Sequence, residues 1–281
     1  MKLRIATCKP LPEPDGDEEL LLAALRARGI DARMAAWNDA REDWDARVPT
    51  VIRSTWDYIH ELPRFLAWAE RAERAAPLWN PLALVRANVH KRYLLELDAR
   101  GVATVPTELV QRARACSLAA LARERGWRRL MLKPAVGASS FGARRFEAHE
   151  HGEAQAHLDT LLARGDALVQ PYLESVEGHG ERALVWIDGE LTHAVRKSPR
   201  FAGGVENVSE SVAIERDERA LAEEALASAP AGLLYARIDV ARGADGRPCV
   251  MELELVEPSL FLRQDARACE RLVAALARRL A

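Results

Sequence analysis

Two stretches of this sequence alternate so strictly that they demand neighbouring β-strands with one packed face and one charged face. In residues 233–240, the two-residue period of a strand puts Arg237 and Asp239 on one side and Leu234, Ala236, Ile238 and Val240 on the other. In residues 250–255, Glu252 and Glu254 share a side opposite Met251, Leu253 and Leu255. Asp245 and Gly246 between them form a tight-turn signal. With that pair at the centre of the turn, Ala244 meets Arg247, Asp239 lies across from Glu252, and Arg237 lies across from Glu254. Gly243 and Pro248 leave room for a different register. Carboxylates facing each other across strands repel. They are tolerated when a divalent cation lies between them, and hard oxygen ligands with open positions suit Mg²⁺ bridging to phosphates. A solvated acidic face is the alternative, and the strongly apolar reverse side speaks against it.

A second bias concerns the cations. Of 40 Lys and Arg residues only five are lysines: Lys2, Lys9, Lys91, Lys133 and Lys197. A lysine kept inside such an arginine-rich chain is a candidate for a role that needs a compact ammonium rather than a planar fork; a leftover surface lysine is the plain alternative. Lys133 ends the apolar run 130–132 and precedes a loop of small residues that includes Gly137, Ser139, Ser140 and Gly142. Small side chains let backbone N–H groups close around phosphate oxygens, with serine hydroxyls as extra donors and the lysine as a point charge. A flexible hairpin loop remains the other reading. The loop matches neither the Walker pattern nor the dinucleotide-binding glycine fingerprint. A third set comprises the strand 167–173 with Gln170, Tyr172 and Leu173, then Glu181, then residues 195–200 with Lys197. The strand leading to Gln170 could present main-chain hydrogen bonds to a base edge and Glu181 could accept from ribose hydroxyls, though each, taken singly, is more often structural.

Residues 1–85 read as strands alternating with helices, which implies a parallel sheet. Strands are expected at 3–7, 30–36 and 48–54, and helices at 17–28 and 62–75. A connection near Asn80 and Pro81 leads to a single helix over 87–100, closed by Gly101. Beyond it come helices at 118–125, 153–164, 217–227 and from 266, among further strands. A hydrophobic fraction of 49% and a charged fraction of 29% are those of a globular protein. A net charge of −2 without basic runs makes nucleic acid an unexpected partner. Cys8, Cys116, Cys249 and Cys269 are widely spaced, which argues against a structural zinc site and a disulfide scaffold. The apolar run at the N-terminus is too short for a signal peptide and no transmembrane stretch is present, so a cytoplasmic protein is expected. Arg53, Ser54, Thr55 and Asp57 follow a strand, where α/β sheets bind ligands, and Arg53 could hold a carboxylate bidentately. A packing corner built on Trp56 and Tyr58 is the competing account.

Taken in order, these segments resemble the ATP-grasp superfamily in its glutathione-synthetase-like branch. Within it the chain is similar to the cyclase group of D-cycloserine biosynthesis, the O-ureido-serine cyclases. The motifs carrying the likeness are Arg53-Ser54-Thr55-Trp56-Asp57-Tyr58, Asn80-Pro81, His193 to Lys197, and the Glu-x-Glu-x-x-Glu-Pro-Ser run from Glu252 to Ser259. They span about residues 50–262. The resemblance implies an α/β fold with a parallel N-terminal lobe at 1–85 and two α+β lobes, 86–169 and 170–281, that clamp ATP. It implies that Lys91 and Lys133 touch the phosphates under a flap formed by Gly137 to Gly142. Gln170, Tyr172 and Leu173 would hold adenine, Glu181 the ribose, and Lys197 would lie near the transferred phosphate. Arg237 would stabilise an oxyanion, and Asp239, Glu252 and Glu254 would bind Mg²⁺ or Mn²⁺. Many members carry Asn where Glu254 stands, so pairing with Arg237 is its other role, and Glu177 is a second candidate for the ribose.

The implied reaction is ADP-forming ligation of a small-molecule carboxylate to an amine through an acyl phosphate. Ring closure within one substrate, joining of two molecules, and a catalytically silent nucleotide-binding protein are the three readings carried forward. A homodimer is an assembly that the resemblance allows.

Overall fold

The computed structural model describes residues 1–112, 114–147, 149–198, 207–227 and 229–281. Pro199 and Arg200, at the end of one segment singled out above, lie outside the described residues. The first part of the chain runs β1 (Lys2–Thr7), α1 (Glu18–Ala27), β2 (Asp31–Ala36), β3 (Thr50–Ser54), a 3₁₀ turn (Trp56–His60), α2 (Leu62–Ala75) and β4 (Leu78–Trp79). Its strands form a parallel sheet in the order β2-β1-β3-β4. β3 is buried at every position, as a central strand covered on both faces must be. α2 turns Phe65, Trp68, Ala69 and Ala72 inward, the spacing of one helical face.

The expected helix over 87–100 is two helices, α3 (Leu82–Asn88) and α4 (Tyr93–Ala99). The chain breaks where the Lys91 N–H leaves helical pairing to donate to Ala135 O at 2.7 Å. Then follow β5 (Glu108–Val110), α5 (Leu118–Arg125), β6 (Leu130–Pro134), β7 (Arg144–Phe146), α6 (His151–Arg164) and β8 (Ala167–Pro171). These strands make an antiparallel sheet in the order β5-β8-β6-β7.

The last part comprises α7 (Ser175–Gly178), β9 (Glu181–Ile187), β10 (Glu190–Lys197), α8 (Arg216–Ala227), β11 (Tyr235–Arg242), β12 (Pro248–Glu254) and α9 (Ala266–Leu280). Its antiparallel sheet has the order β10-β9-β11-β12. At the functional end, β11 and β12 pair as alternation demands, Arg237 with Glu254 and Asp239 with Glu252. Towards the turn the register slips, so that Val240 meets Val250 and Met251 is the extra residue of a bulge. The turn is correspondingly wider than the two-residue loop expected: Gly246 N donates to Gly243 O, and Gly243 N to Arg247 O.

Apolar packing ignores the boundaries between sheets. One cluster joins Leu3, Ile5 and Val51 of the parallel sheet to Ala183 and Val185 of β9 and to Leu272 and Leu276 of α9. Asn80, fully buried, ties the parts further: it donates to Tyr235 O and Leu255 O and accepts from Leu234 N.

Candidate active site

A cavity of about 460 Å³ opens between the two antiparallel sheets. β11 and β12 direct Arg237, Asp239, Glu252 and Glu254 onto one wall, β10 adds Lys197, and β9 adds Glu181. The opposite wall carries Lys133 from the end of β6, the loop after it, and Gln170, Tyr172 and Leu173 after β8. Lys91 enters from the break between α3 and α4.

Across the cavity cations and acids interlock. Lys91 Nζ lies 2.5 Å from Glu252 Oε1, and Lys133 Nζ lies 3.6 Å from Glu252 Oε2. Lys197 Nζ bridges Glu181 at 2.5 Å and Asp239 at 2.7 Å. Arg237 grips Asp239 through Nε and Nη2, at 2.8 and 2.9 Å, and also donates to Glu254 Oε1 at 2.5 Å. Burial opposes ionisation of Asp239, yet Arg237 and Lys197 hold it well below the usual carboxylate range. Burial likewise works against Glu252, and Lys91 and Lys133 overcome it. Glu254 is pushed up to about 8, by burial and by Asp239 and Glu252 beside it, with Arg237 pulling the other way. Burial lowers Lys133, whereas the carboxylates around Lys91, Glu252 foremost, outweigh burial and raise it.

Three adjoining carboxylates are a hard-oxygen donor set of the kind a divalent cation takes, and the raised Glu254 marks crowding that such a cation would relieve. Their ligand atoms do not lie within 4.8 Å of one another, because each acid turns to a lysine or arginine. The described residues that do meet that spacing are His179, Glu215 and Glu218. There Glu218 already receives two hydrogen bonds from Arg182, so this trio reads as an ion-pair network.

Lys91, Lys133, Gly137, Ser139, Ser140, Gln170, Tyr172, Leu173, Glu181, Lys197, Arg237, Asp239, Glu252 and Glu254 thus all reach one cavity. Gly142 does not. Its positive φ of 69° places it beneath the loop, against Pro134 and Leu161. Glu177 is also off the wall, held by Arg145 at 2.6 Å and by the Tyr172 hydroxyl. The expected substrate residues are likewise absent from the lining. Arg53 is buried beside Asp17 and over the Tyr235 ring. The Ser54 hydroxyl donates to Thr7, Thr55 is fully buried, and Asp57 accepts from Trp37 and Asn38. The 3₁₀ turn reverses the expected sides and sends Trp56 and Tyr58 to the cavity instead. Sequence reasoning also missed Glu257 and Ser259, although both stand in the quoted run from Glu252 to Ser259.

Comparison with known proteins places this architecture. The structure of ATP-grasp ligase PsnB complexed with minimal precursor, Mg and ADP superposes with a TM-score of 0.63, at 18% identity over 98% of each chain. The fold is therefore that of the ATP-grasp ligases. The crystal structure of D-cycloserine synthetase DcsG superposes far more closely, with a TM-score of 0.90, 34% identity and 100% of both chains covered. The cycloserine biosynthesis protein DcsG of Streptomyces lavendulae is 37% identical over 95% of this chain and 94% of its own length. The family model described as D-cycloserine synthetase DcsG, N-terminal domain, matches residues 3–80. The chain belongs to the D-cycloserine synthetase DcsG family. Among the described residues no helix is long and apolar enough to cross a membrane.

Proposed function

We propose that this protein uses ATP and Mg²⁺ to join a carboxylate to an amine of a small amino-acid-like substrate, forming an amide-type C–N bond and releasing ADP and phosphate. The supporting observation is the convergence of Lys91, Lys133, Lys197, Arg237, Asp239, Glu252 and Glu254 on one cavity. Positive charge from three separate parts of the chain meets acids there in a water-poor setting, which is what stabilises a phosphoryl transfer.

The chemistry runs in two steps. A carboxylate oxygen attacks the γ-phosphorus, ADP departs, and an acyl phosphate remains. Lys91 and Lys133 turn from Glu252 to phosphate oxygens, and Lys197 neutralises the transferred group. The amine nitrogen then attacks the acyl carbon, Arg237 stabilises the oxyanion, phosphate leaves, and the nitrogen gives up a proton. Asp239, Glu252 and Glu254 would hold Mg²⁺, which supplies charge neutralisation on the triphosphate. Gln170, Tyr172 and Leu173 hold adenine, Glu181 the ribose, and the loop with Gly137, Ser139 and Ser140 keeps water from the acyl phosphate. The units 1–85, 86–169 and 170–281 belong to the same proposal, with ATP between the second and third.

Membership of the DcsG family favours a nucleophile within the same substrate, giving a ring. The test is ADP release over a panel of amino acids, with Lys133→Ala as control, followed by the product mass. A mass below that of the substrate supports cyclisation, and the sum of two substrates less water indicates ligation. AMP with pyrophosphate contradicts the acyl-phosphate route. No ADP from any carboxylate leaves a silent nucleotide-binding protein. Activity with Mn²⁺ in place of Mg²⁺ decides the alternative metal.

A further inference from the structure

One buried acid on the cavity wall takes no part in the scheme above. Glu257 is 8% exposed and lines the cavity beside Trp56 and Tyr58. The other deep acids there are matched: Asp239 with Arg237 and Lys197, Glu252 with Lys91, Glu254 with Arg237. Among the described residues no Lys, Arg or His nitrogen lies within 4.0 Å of Glu257. Its carbonyl accepts from Trp56 Nε1 at 3.0 Å, which fixes the backbone, and the buried Tyr58 side chain lines the same cavity. A buried carboxylate without a counter-cation is costly to hold unless something positive arrives. Burial, with Glu252 nearby, pushes this carboxyl up to about 7 against the pull of Lys91 and Tyr58.

We propose that Glu257, its backbone held by Trp56, seats the ammonium group of the substrate. This rests on the reading of a small amino-acid-like substrate. The ammonium donates charge-assisted hydrogen bonds to the carboxylate, as a Lys head would. The aromatic side chains beside it favour a cation for the same reason. Glu257 is not one of the acids assigned to the metal, though it lines the same cavity.

The probe is D-cycloserine, the compound named in the family, titrated calorimetrically into enzyme saturated with ADP and Mg²⁺. Its deaminated ring, isoxazolidin-3-one, is the comparison ligand. In the wild type, D-cycloserine is expected to bind at least ten-fold more tightly than the deaminated ring. Glu257→Gln should abolish that difference while ADP binding stays within two-fold. Equal affinity of the two rings for the wild type overturns the seat without relying on any variant. So does a Glu257→Gln protein that still prefers D-cycloserine, or one that loses ADP binding to the same degree. If the wild type binds ADP but neither ring, the substrate reading itself fails, and the seat falls with it.

Discussion

Lys91 and Lys133 share a single acid: Glu252 Oε1 lies 2.5 Å from the first ammonium and Oε2 lies 3.6 Å from the second. Two lysines from different parts of the chain, both largely buried, are held close only because this carboxylate offsets their mutual repulsion. In the proposed reaction a triphosphate would offer both of them stronger partners and leave the acid free to face a metal ion.

Lys133→Ala removes one ammonium from the proposed phosphate end of the cavity. Charge-assisted contacts of this kind contribute about 1.5–3 kcal/mol each, so ATP affinity should fall roughly ten-fold or more with the fold intact. Calorimetric titration reads it, and wild-type affinity in the variant would contradict the assignment of Lys133.

Glu252→Gln keeps a hydrogen-bond acceptor for Lys91 but removes the negative charge. Nucleotide should bind more weakly when Mg²⁺ is present, and turnover should be lost. Without Mg²⁺ the change should be small or favourable, because a competitor for the lysines has gone. Equal losses with and without the metal would point to a structural role instead.

Asn80→Ala strips three hydrogen bonds from a fully buried site, those to Tyr235 O, Leu255 O and Leu234 N. Unpaired buried backbone groups cost about 1–3 kcal/mol each, so a destabilisation of roughly 3 kcal/mol or more is expected in urea unfolding. Gly232→Ala acts beside it. Gly232 has φ +94°, and an added Cβ would lie 2.9 Å from Pro81 Cγ. A loss of about 1–3 kcal/mol follows from the backbone conformation alone. A change below 0.5 kcal/mol in both variants would mean that this junction is not under tension.

Glu257 gives a pH dependence with a definite sign. Burial raises its carboxyl from 4.5 to about 7 in the folded chain. Between those values the folded protein keeps a proton that the unfolded chain has released, so stability falls as pH rises through the window. The penalty is complete above pH 7 and absent well below 4.5. Glu257→Gln lacks it, and the wild type should lose about 2–3 kcal/mol relative to the variant between pH 5 and pH 8. Unfolding curves that run parallel across that range would rule out a strained carboxyl at this position.

Local patterning was enough for much of the architecture. Helices at 62–75 and 118–125 and the start of the last helix at residue 266 were legible to the residue. So was the pairing of Arg237 with Glu254 and Asp239 with Glu252. Helical and strand periods are carried by neighbours in sequence, and that is why they can be read from it. Tertiary contacts decided the rest. Lys91 reaches Glu252 from a break in the helix made by a hydrogen bond to Ala135, 44 residues on and just past the end of β6. Arg53 turns into the protein because Asp17 and Tyr235 wait there, while Trp56, Tyr58 and Glu257 take the cavity. Which side of a short turn faces a ligand depends on what packs against the other side. No periodicity encodes that, because the deciding contacts join residues 36 to 182 positions apart in the chain.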